Sequence, residues 1–163
     1  MLTIEPAVGD DPAPADTHIL AGDFDKDLMT VATVGHPAAL GTDFSDVSGS
    51  YILAAPSGGE YYNGIWFLDP AGTVMLPSLN LPELPAGWVY EGWAVVDGTP
   101  YSTGTFTELS GEDSDGKGAT AGPGDTPPFP GQDFVNPALD LRGGLAVISV
   151  EPDPDNSLSL IHI

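Results

Sequence analysis

Three aspartates at alternate positions are the residues of this chain best spaced for metal chemistry. Asp23, Asp25 and Asp27 lie in the segment DFDKD, which has the opening spacing of a calcium-binding loop. Alternate carboxylates can wrap one hard cation because each supplies oxygen ligands. The pattern then departs from a calcium loop, since Leu28 replaces the turning glycine and Val34 replaces the bidentate glutamate. Two interpretations follow, a solvated acidic turn and a Ca²⁺ site, the only cofactor that the sequence suggests.

Aromatic side chains could form a platform for a glycan or a peptide. Tyr61 and Tyr62 stand beside turn residues, and Phe129 lies in the proline-rich segment TPPFP. We predict these three residues as ligand-binding, with the alternative that Phe129 fastens its loop to the fold. Trp66, Trp93 and Tyr90 lie in candidate strands and Trp88 directly precedes one, and large aromatic side chains on strands usually belong to the core.

The sequence predicts no catalytic residues. It has no cysteine and no Gly-x-Ser-x-Gly segment, so the familiar nucleophiles of hydrolases are missing. His18 lies in a candidate strand and His36 precedes a proline, which favours packing or surface roles. Paired carboxylates could serve a glycosidase, but chance pairs are expected throughout so acidic a chain. A hydrolase is therefore the third hypothesis, and a deep cleft with a buried, perturbed acid would support it.

The charge of the chain restricts its partners. Twenty-four acidic residues accompany only three basic ones, giving a formal net charge of -21. Nucleic-acid binding is not expected, because phosphate contacts need clustered lysine and arginine. A halophilic source would explain the excess, since salt screens the repulsion between surface carboxylates. The alternative is that some carboxylates converge on divalent cations.

No segment looks able to enter a membrane. The chain has no run close to the roughly 20 apolar residues of a membrane span, and its first ten residues lack the regions of a signal peptide. Its last six residues, 158–163, resemble the translation of a transposon-end adapter used in sequencing libraries. We therefore expect no membrane insertion in this chain and treat 158–163 as an artefact tail.

The spacing of apolar residues predicts an all-β fold. Twenty-one glycines and 17 prolines divide the chain into short apolar runs, which is typical of an antiparallel β-sandwich. The predicted strands are 2–5, 18–21, 28–34, 50–54, 64–68, 89–96, 101–107 and 145–150. Asp97 and Gly98 supply the positive φ angles of a tight turn between two of them. In the strand before this turn, Trp93 and Val95 should face one side and Tyr90, Gly92, Ala94 and Val96 the other.

Residues 108–141 are rich in glycine, proline, aspartate, serine and threonine. This composition predicts a long surface loop, with Phe129 and Phe134 as its anchors. Within it, Asp113 and Asp115 could form either a solvated acidic turn or a Ca²⁺ site, as could the aspartates at 23–27.

A short internal repeat suggests the domain organisation. The segment LTIEP at 2–6 is similar to ISVEP at 148–152, and each is a predicted strand that ends in Glu before Pro. We interpret 1–24 as the terminal strands of a preceding, truncated unit and 25–157 as a complete β-sandwich unit. The two related units could also pack into one fold.

Two segments in the second half of the chain form a distinctive pattern, residues 81–106, LPELPAGWVYEGWAVVDGTPYSTGTF, and residues 147–152, VISVEP. These segments resemble the C-terminal domain of anti-sigma-K factors. In that family a leucine- and proline-rich approach leads into a Tyr-x-x-Trp strand, a turn and a strand that ends near Gly-Thr-Phe. The resemblance implies an extracytoplasmic β-sandwich sensor domain, and the helical region that binds a sigma factor in that family has no counterpart here.

The leading hypothesis is a non-enzymatic extracytoplasmic interaction or sensor module of a larger envelope-associated protein, whether periplasmic, secreted or surface-anchored. The second is a carbohydrate-binding or calcium-stabilised adhesion module. The partner is accordingly a protein or a glycan. An exposed aromatic strip would favour glycan binding, and a carboxylate cluster would favour cation binding.

Overall fold

The structure, a computed structural model, describes residues 2–3, 18–23, 35–37, 39, 44–69, 74–116, 118–122, 124 and 127–153. Within these residues the secondary structure is ten β-strands and one short 3-10 turn, Tyr61–Asn63, with no α-helix. The strands are β1 (Leu2–Thr3), β2 (His18–Leu20), β3 (Ile52–Leu53), β4 (Gly64–Trp66), β5 (Leu68–Asp69), β6 (Leu76–Pro77), β7 (Trp88–Val96), β8 (Thr99–Phe106), β9 (Gly131–Asp133) and β10 (Leu145–Pro152).

The longest strands, β7 and β8, form an antiparallel hairpin. The two residues between them, Asp97 and Gly98, have φ angles of 50° and 78°. Positive φ at both central positions matches the right-handed twist of the flanking strands. The predicted tight turn is confirmed.

β7 is the central strand of a three-stranded antiparallel sheet with the order β10-β7-β8. Tyr90 is aligned with Val150 on one neighbour and with Phe106 on the other. Side chains alternate along β7 as predicted, and both of its faces are buried: Tyr90 on one face and Trp93 on the other are each 2% exposed. The indole of Trp93 donates a 2.9 Å hydrogen bond to the Ser149 hydroxyl of β10, which satisfies its buried N–H.

A second three-stranded antiparallel sheet has the order β3-β4-β9. Ile65 and Phe67 belong to one hydrophobic cluster, whereas Trp66 and Leu68 belong to another. This division follows from the two-residue period of a strand. The β4 segment is therefore apolar on both sides, which explains its continuous run GIWFL.

The main hydrophobic cluster draws side chains from both three-stranded sheets. Its buried members are Ile65, Phe67, Leu79, Tyr90, Ala94, Phe106, Phe134 and Leu141. The fold is all-β with antiparallel sheets, as predicted. A core shared by two such sheets is what a β-sandwich needs, and the sandwich remains our interpretation of it.

The long segment after β8 contains one strand that the composition did not predict. β9 pairs with β4 and buries all three of its residues. Phe129 and Phe134, which flank it, are each 6% exposed and anchor the segment as predicted. Residues 108–141 are thus partly a strand of the second sheet rather than a surface loop throughout.

The structure does not test the strand predicted at 28–34, and it tests the predicted internal repeat only in part. The strand predicted at 28–34 lies outside the described residues. β10 is an edge strand that ends at Pro152, but the residues that complete the similar segment LTIEP lie outside the described part of the chain. The repeat and the domain boundaries at 24 and 157 therefore stay predictions. Among the described residues no helix has the length and apolar character needed to cross a membrane.

Candidate ligand-binding surfaces

The predicted calcium ligands are only partly placed. The carboxylate of Asp23 is exposed and lies 3.3 Å from the imidazole of His36, while Asp25 and Asp27 lie outside the described residues. Within the described part of the chain, no group of three or more aspartate, glutamate, histidine or cysteine side chains could hold a metal ion. The Ca²⁺ site at 23–27 stays a prediction.

The three predicted ligand-binding aromatics occupy different environments. Phe129 is 6% exposed and packs with Trp66 and Leu68, so its ring offers little surface to a ligand. Phe129 therefore fits the alternative interpretation, in which it anchors its loop to the fold. Tyr61 is 61% exposed, and Tyr62 beside it is half-buried.

The 3-10 turn that presents Tyr61 is held by the buried side chain of Asn63. The Asn63 side-chain oxygen accepts a 2.8 Å hydrogen bond from the Glu60 amide, and its amide nitrogen donates a 2.7 Å bond to the Leu139 carbonyl. The first bond closes the turn on itself, and the second connects it to the distant segment at Leu139. The rings of Tyr61 and Tyr62 then meet edge to face, with centroids 5.2 Å apart.

Arg142 completes this aromatic cluster, and sequence reasoning missed it. Its guanidinium carbon lies 3.9 Å from the centroid of the Tyr62 ring, a cation–π contact. The same guanidinium donates two hydrogen bonds, of 2.9 and 2.6 Å, to the two oxygens of Asp140. Hydrogen bonding from Arg142 lowers the pKa of Asp140 to about 2. The local sequence gives one hint of the Asp140–Arg142 pair, which is the Asp-x-Arg spacing directly before Gly143 and Gly144.

A small pocket opens beside Arg142. It has a volume of about 90 Å³ and is bordered by Tyr51, Arg142 and mostly apolar residues that include Leu53, Ile65, Leu141 and Leu145. Tyr51 is 49% exposed. We call the face formed by Tyr51, Tyr61, Tyr62, Asp140 and Arg142 the tyrosine–arginine surface.

A larger groove lies at another part of the molecule. It encloses about 740 Å³ and is bordered by residues 77–84, which we call the Leu–Pro strap, by Tyr90 of β7 and by residues 107–110 after β8. We call it the Leu–Pro groove. Its apolar lining is Pro77, Leu79, Leu81, Pro82, Leu84, Tyr90 and Leu109.

Charge and exposure define what the Leu–Pro groove can bind. Glu83 and Glu108 are the charged residues of its lining, and both are exposed. Just before the Leu–Pro strap, Val74, Met75 and Leu76 are 62%, 55% and 48% exposed. An exposed apolar run that continues into a groove marks a surface suited to an apolar partner.

Asp113 is a buried acid that neither surface includes. It is 8% exposed, and an oxygen of its carboxyl group accepts a 2.7 Å hydrogen bond from the Gly131 amide, which connects the segment after β8 to the start of β9. Burial, together with the negative charge of Asp115, raises the pKa of Asp113 to about 8. Burial also raises the pKa of Asp115.

The Asp113 and Asp115 carboxyl groups both pack on the backbone of Gly104. A Cβ atom at Gly104, where φ is +102°, would lie 2.7 Å from the Asp113 carboxyl carbon and 2.8 Å from an Asp115 oxygen. Asp113 therefore connects β8 with β9, because its carboxyl group packs on Gly104 and accepts the hydrogen bond from Gly131.

A second buried acid connects distant loops. Asp133 is fully buried, and its carboxylate accepts hydrogen bonds from both the amide, at 2.8 Å, and the hydroxyl of Ser57. Its backbone carbonyl accepts a 2.9 Å bond from the Thr120 hydroxyl. Asp133 therefore holds the turn before the tyrosines and the loop before β9 on the same sheet.

Comparisons with family models, with curated proteins and with solved structures found no match to the chain. The functional conclusions therefore depend on the two surfaces and on the resemblance of residues 81–106 and 147–152.

Proposed function

We propose that the chain is a non-enzymatic extracytoplasmic interaction or sensor module of a larger envelope-associated protein, and that the Leu–Pro groove receives its partner. The observation that carries this proposal is the groove itself, about 740 Å³ of space between the Leu–Pro strap and residues 107–110. Ligand sites are usually concave and combine apolar side chains with placed polar groups, and this groove has both, with the larger share of its exposed lining polar.

The chemistry of the groove indicates an extended peptide with apolar and basic side chains. Burial of apolar surface against the leucines supplies affinity. Glu83 and Glu108 attract cationic groups, and a net charge of -21 speeds the approach of a basic partner. The prolines of the Leu–Pro strap restrict its backbone before binding, which lowers the entropic cost of association.

A part of the segment that resembles anti-sigma-K factors borders this groove, namely residues 81–84 and Tyr90. β7, β8 and β10, which contain most of the resembling residues, pair with one another in one sheet. Of the remaining resembling residues, 81–84 belong to the Leu–Pro strap, whereas 85–87 and 97–98 lie outside both the strap and these strands. The resemblance supports an extracytoplasmic location and a sensor role, in which occupancy of the groove would be the sensed event.

Selection from a displayed library of random peptides against the intact chain tests this proposal. We expect the selected peptides to combine apolar residues with lysine or arginine. Glu83→Lys combined with Glu108→Lys should weaken their binding about tenfold or more, because both charges at the groove are reversed. Both residues are exposed, so the fold should tolerate the change.

The matched control is Asp46→Lys combined with Asp153→Lys, two exposed acids outside the groove lining that change the net charge equally. Peptide binding should weaken much less in this control. Selection of no peptides, or an equal loss in both double variants, would contradict the assignment of the groove.

A further inference from the structure

The tyrosine–arginine surface presents polar and apolar chemistry in a fixed arrangement. Arg142 is held between the Tyr62 ring, 3.9 Å from its guanidinium, and the Asp140 carboxylate. A guanidinium held on two sides needs little further ordering when a ligand binds. The exposed ring of Tyr51 borders the adjoining pocket. The exposed ring of Tyr61 packs against Tyr62.

The electrostatics of this surface favour a neutral ligand. Arg142 forms a bidentate pair with Asp140, so its charge is largely compensated. The remainder of the chain is strongly acidic, which disfavours an anion. Two of the five N–H donors of the guanidinium bind Asp140, and Arg142 also makes a side-chain hydrogen bond with Tyr61, which leaves up to two donors for a ligand.

A sugar ring matches this combination. Its C–H faces pack on aromatic rings, whose faces carry partial negative charge, and its hydroxyl groups both donate and accept hydrogen bonds. Tyrosine suits such a site because its ring is apolar and its hydroxyl polar. The Arg142–Asp140 pair offers the donors and acceptors that hydroxyl groups need.

The size and lining of the small pocket indicate which sugar substituent it could hold. Its lining is mostly aliphatic, with Leu53, Ile65 and Ala146 among the contributing residues, and Arg142 is its charged member. A volume of about 90 Å³ fits a substituent rather than a whole sugar ring. An acetamido group has a methyl for the aliphatic lining and an amide that can form hydrogen bonds with a polar lining side chain such as Arg142.

We propose that the tyrosine–arginine surface binds a neutral glycan that contains N-acetylated amino sugars, with an acetamido group in the pocket beside Tyr51 and Arg142. This site is separate from the Leu–Pro groove and does not depend on the function proposed for it. The protein would thereby have a second, carbohydrate-directed binding activity.

The test compares two linear β-1,4-linked trisaccharides that differ in the substituent at carbon 2. The intact chain is titrated with the trimer of N-acetylglucosamine and with cellotriose, and backbone amide shifts are followed by NMR. The acetylated trimer should bind about tenfold more tightly, with shifts at residues 51, 61–62 and 140–145. No saturable shift with either sugar, or equal affinity for both, would overturn the proposal.

Single substitutions distinguish loss of sugar contacts at this surface from a general effect on the fold. Tyr51→Ala and Tyr61→Ala should each weaken binding of the acetylated trimer about fivefold or more, whereas Tyr101→Ala, which removes a tyrosine outside this surface, should not. Equal losses in all three variants would contradict the site. The double variant Glu83→Lys with Glu108→Lys should bind the sugar as the unmodified chain does, so failure of the groove and failure of this site are distinguishable.

Discussion

The hydroxyl of Tyr90 donates a 2.7 Å hydrogen bond to the carbonyl oxygen of Pro82. This bond connects the central strand of one sheet to the Leu–Pro strap. Burial raises the pKa of Tyr90 to about 12, so the phenol keeps its proton and remains a donor at neutral pH. The position of the strap, and with it the shape of the groove, is thus set by the sheet.

Removal of this hydroxyl should loosen the Leu–Pro strap. Tyr90→Phe keeps the ring in the core but leaves the Pro82 carbonyl without the bond, which should lower the free energy of unfolding by about 1 kcal/mol. Amide hydrogen exchange of residues 79–84 should speed up by more than the global loss of stability explains. Tyr101→Phe, a change at a tyrosine outside the groove, is the control. Unchanged exchange in Tyr90→Phe would contradict the anchoring role.

Gly104 is expected to be far less replaceable than Gly87. Both have positive φ, +102° and +90°, so alanine strains the backbone at either position by about 1–3 kcal/mol. Only at Gly104 would the new Cβ also collide with the Asp113 and Asp115 carboxyl groups, because nothing lies within 4 Å at Gly87. Urea unfolding should therefore show Gly104→Ala to be less stable than Gly87→Ala by about 1–3 kcal/mol. Equal losses would contradict the close approach.

The buried carboxyl of Asp113 should make stability depend on pH. Its pKa of about 8 in the folded protein lies above the ordinary value of 3.8. Between these values the folded state holds a proton that the unfolded state has lost, so the free energy of unfolding should fall as pH rises from about 4 to about 8 and then level off. Chemical unfolding at a series of pH values measures this slope.

Asp113→Asn removes the titrating group from this site. An asparagine side-chain oxygen can still accept the hydrogen bond from the Gly131 amide, so the fold should be kept. Above pH 8 the variant should be more stable than the unmodified chain by about 1 kcal/mol or more, and this difference should shrink towards pH 4. A variant with the same pH slope as the unmodified chain would show that Asp113 is ionised in the folded state.

Salt should stabilise the protein. With a net charge of -21, repulsion between carboxylates opposes the compact state, and added ions screen it. We expect the Tm to rise by several degrees between about 0.05 and 1 M NaCl, and to rise less in a variant that combines all four exposed acid-to-lysine changes at positions 46, 83, 108 and 153. A Tm that falls with NaCl in the unmodified chain would contradict this expectation.

The parts of the fold that local sequence determines were predictable. The β7–β8 hairpin follows from alternating apolar residues and from Asp97 and Gly98, which both adopt positive φ. The burial of Trp66 and Trp93 follows from the same patterns, because large rings on strands lose most of their exposure in a core. Tyr61, which was predicted as ligand-binding from its place beside turn residues, is exposed.

The features that the sequence did not predict depend on contacts between residues that are distant in the chain. β9 reads Gly-Gln-Asp, a sequence with little strand propensity, and it is held by Asp113 at Gly131 and by Asp133 at Ser57. Likewise, Arg142 reaches Tyr62 only because the fold brings two loops together. No local pattern reports such a pairing, so the Leu–Pro groove and the tyrosine–arginine surface emerged from the structure.

The most direct test of the central claim maps peptide binding onto the intact chain. Peptides selected from the library are titrated into the isotope-labelled protein, and backbone amide shifts are recorded. We expect saturable shifts concentrated at residues 78–84, 90 and 107–110, and we expect them to be lost in the double variant Glu83→Lys with Glu108→Lys. Shifts concentrated elsewhere, or no saturable shift, would contradict a peptide-binding Leu–Pro groove.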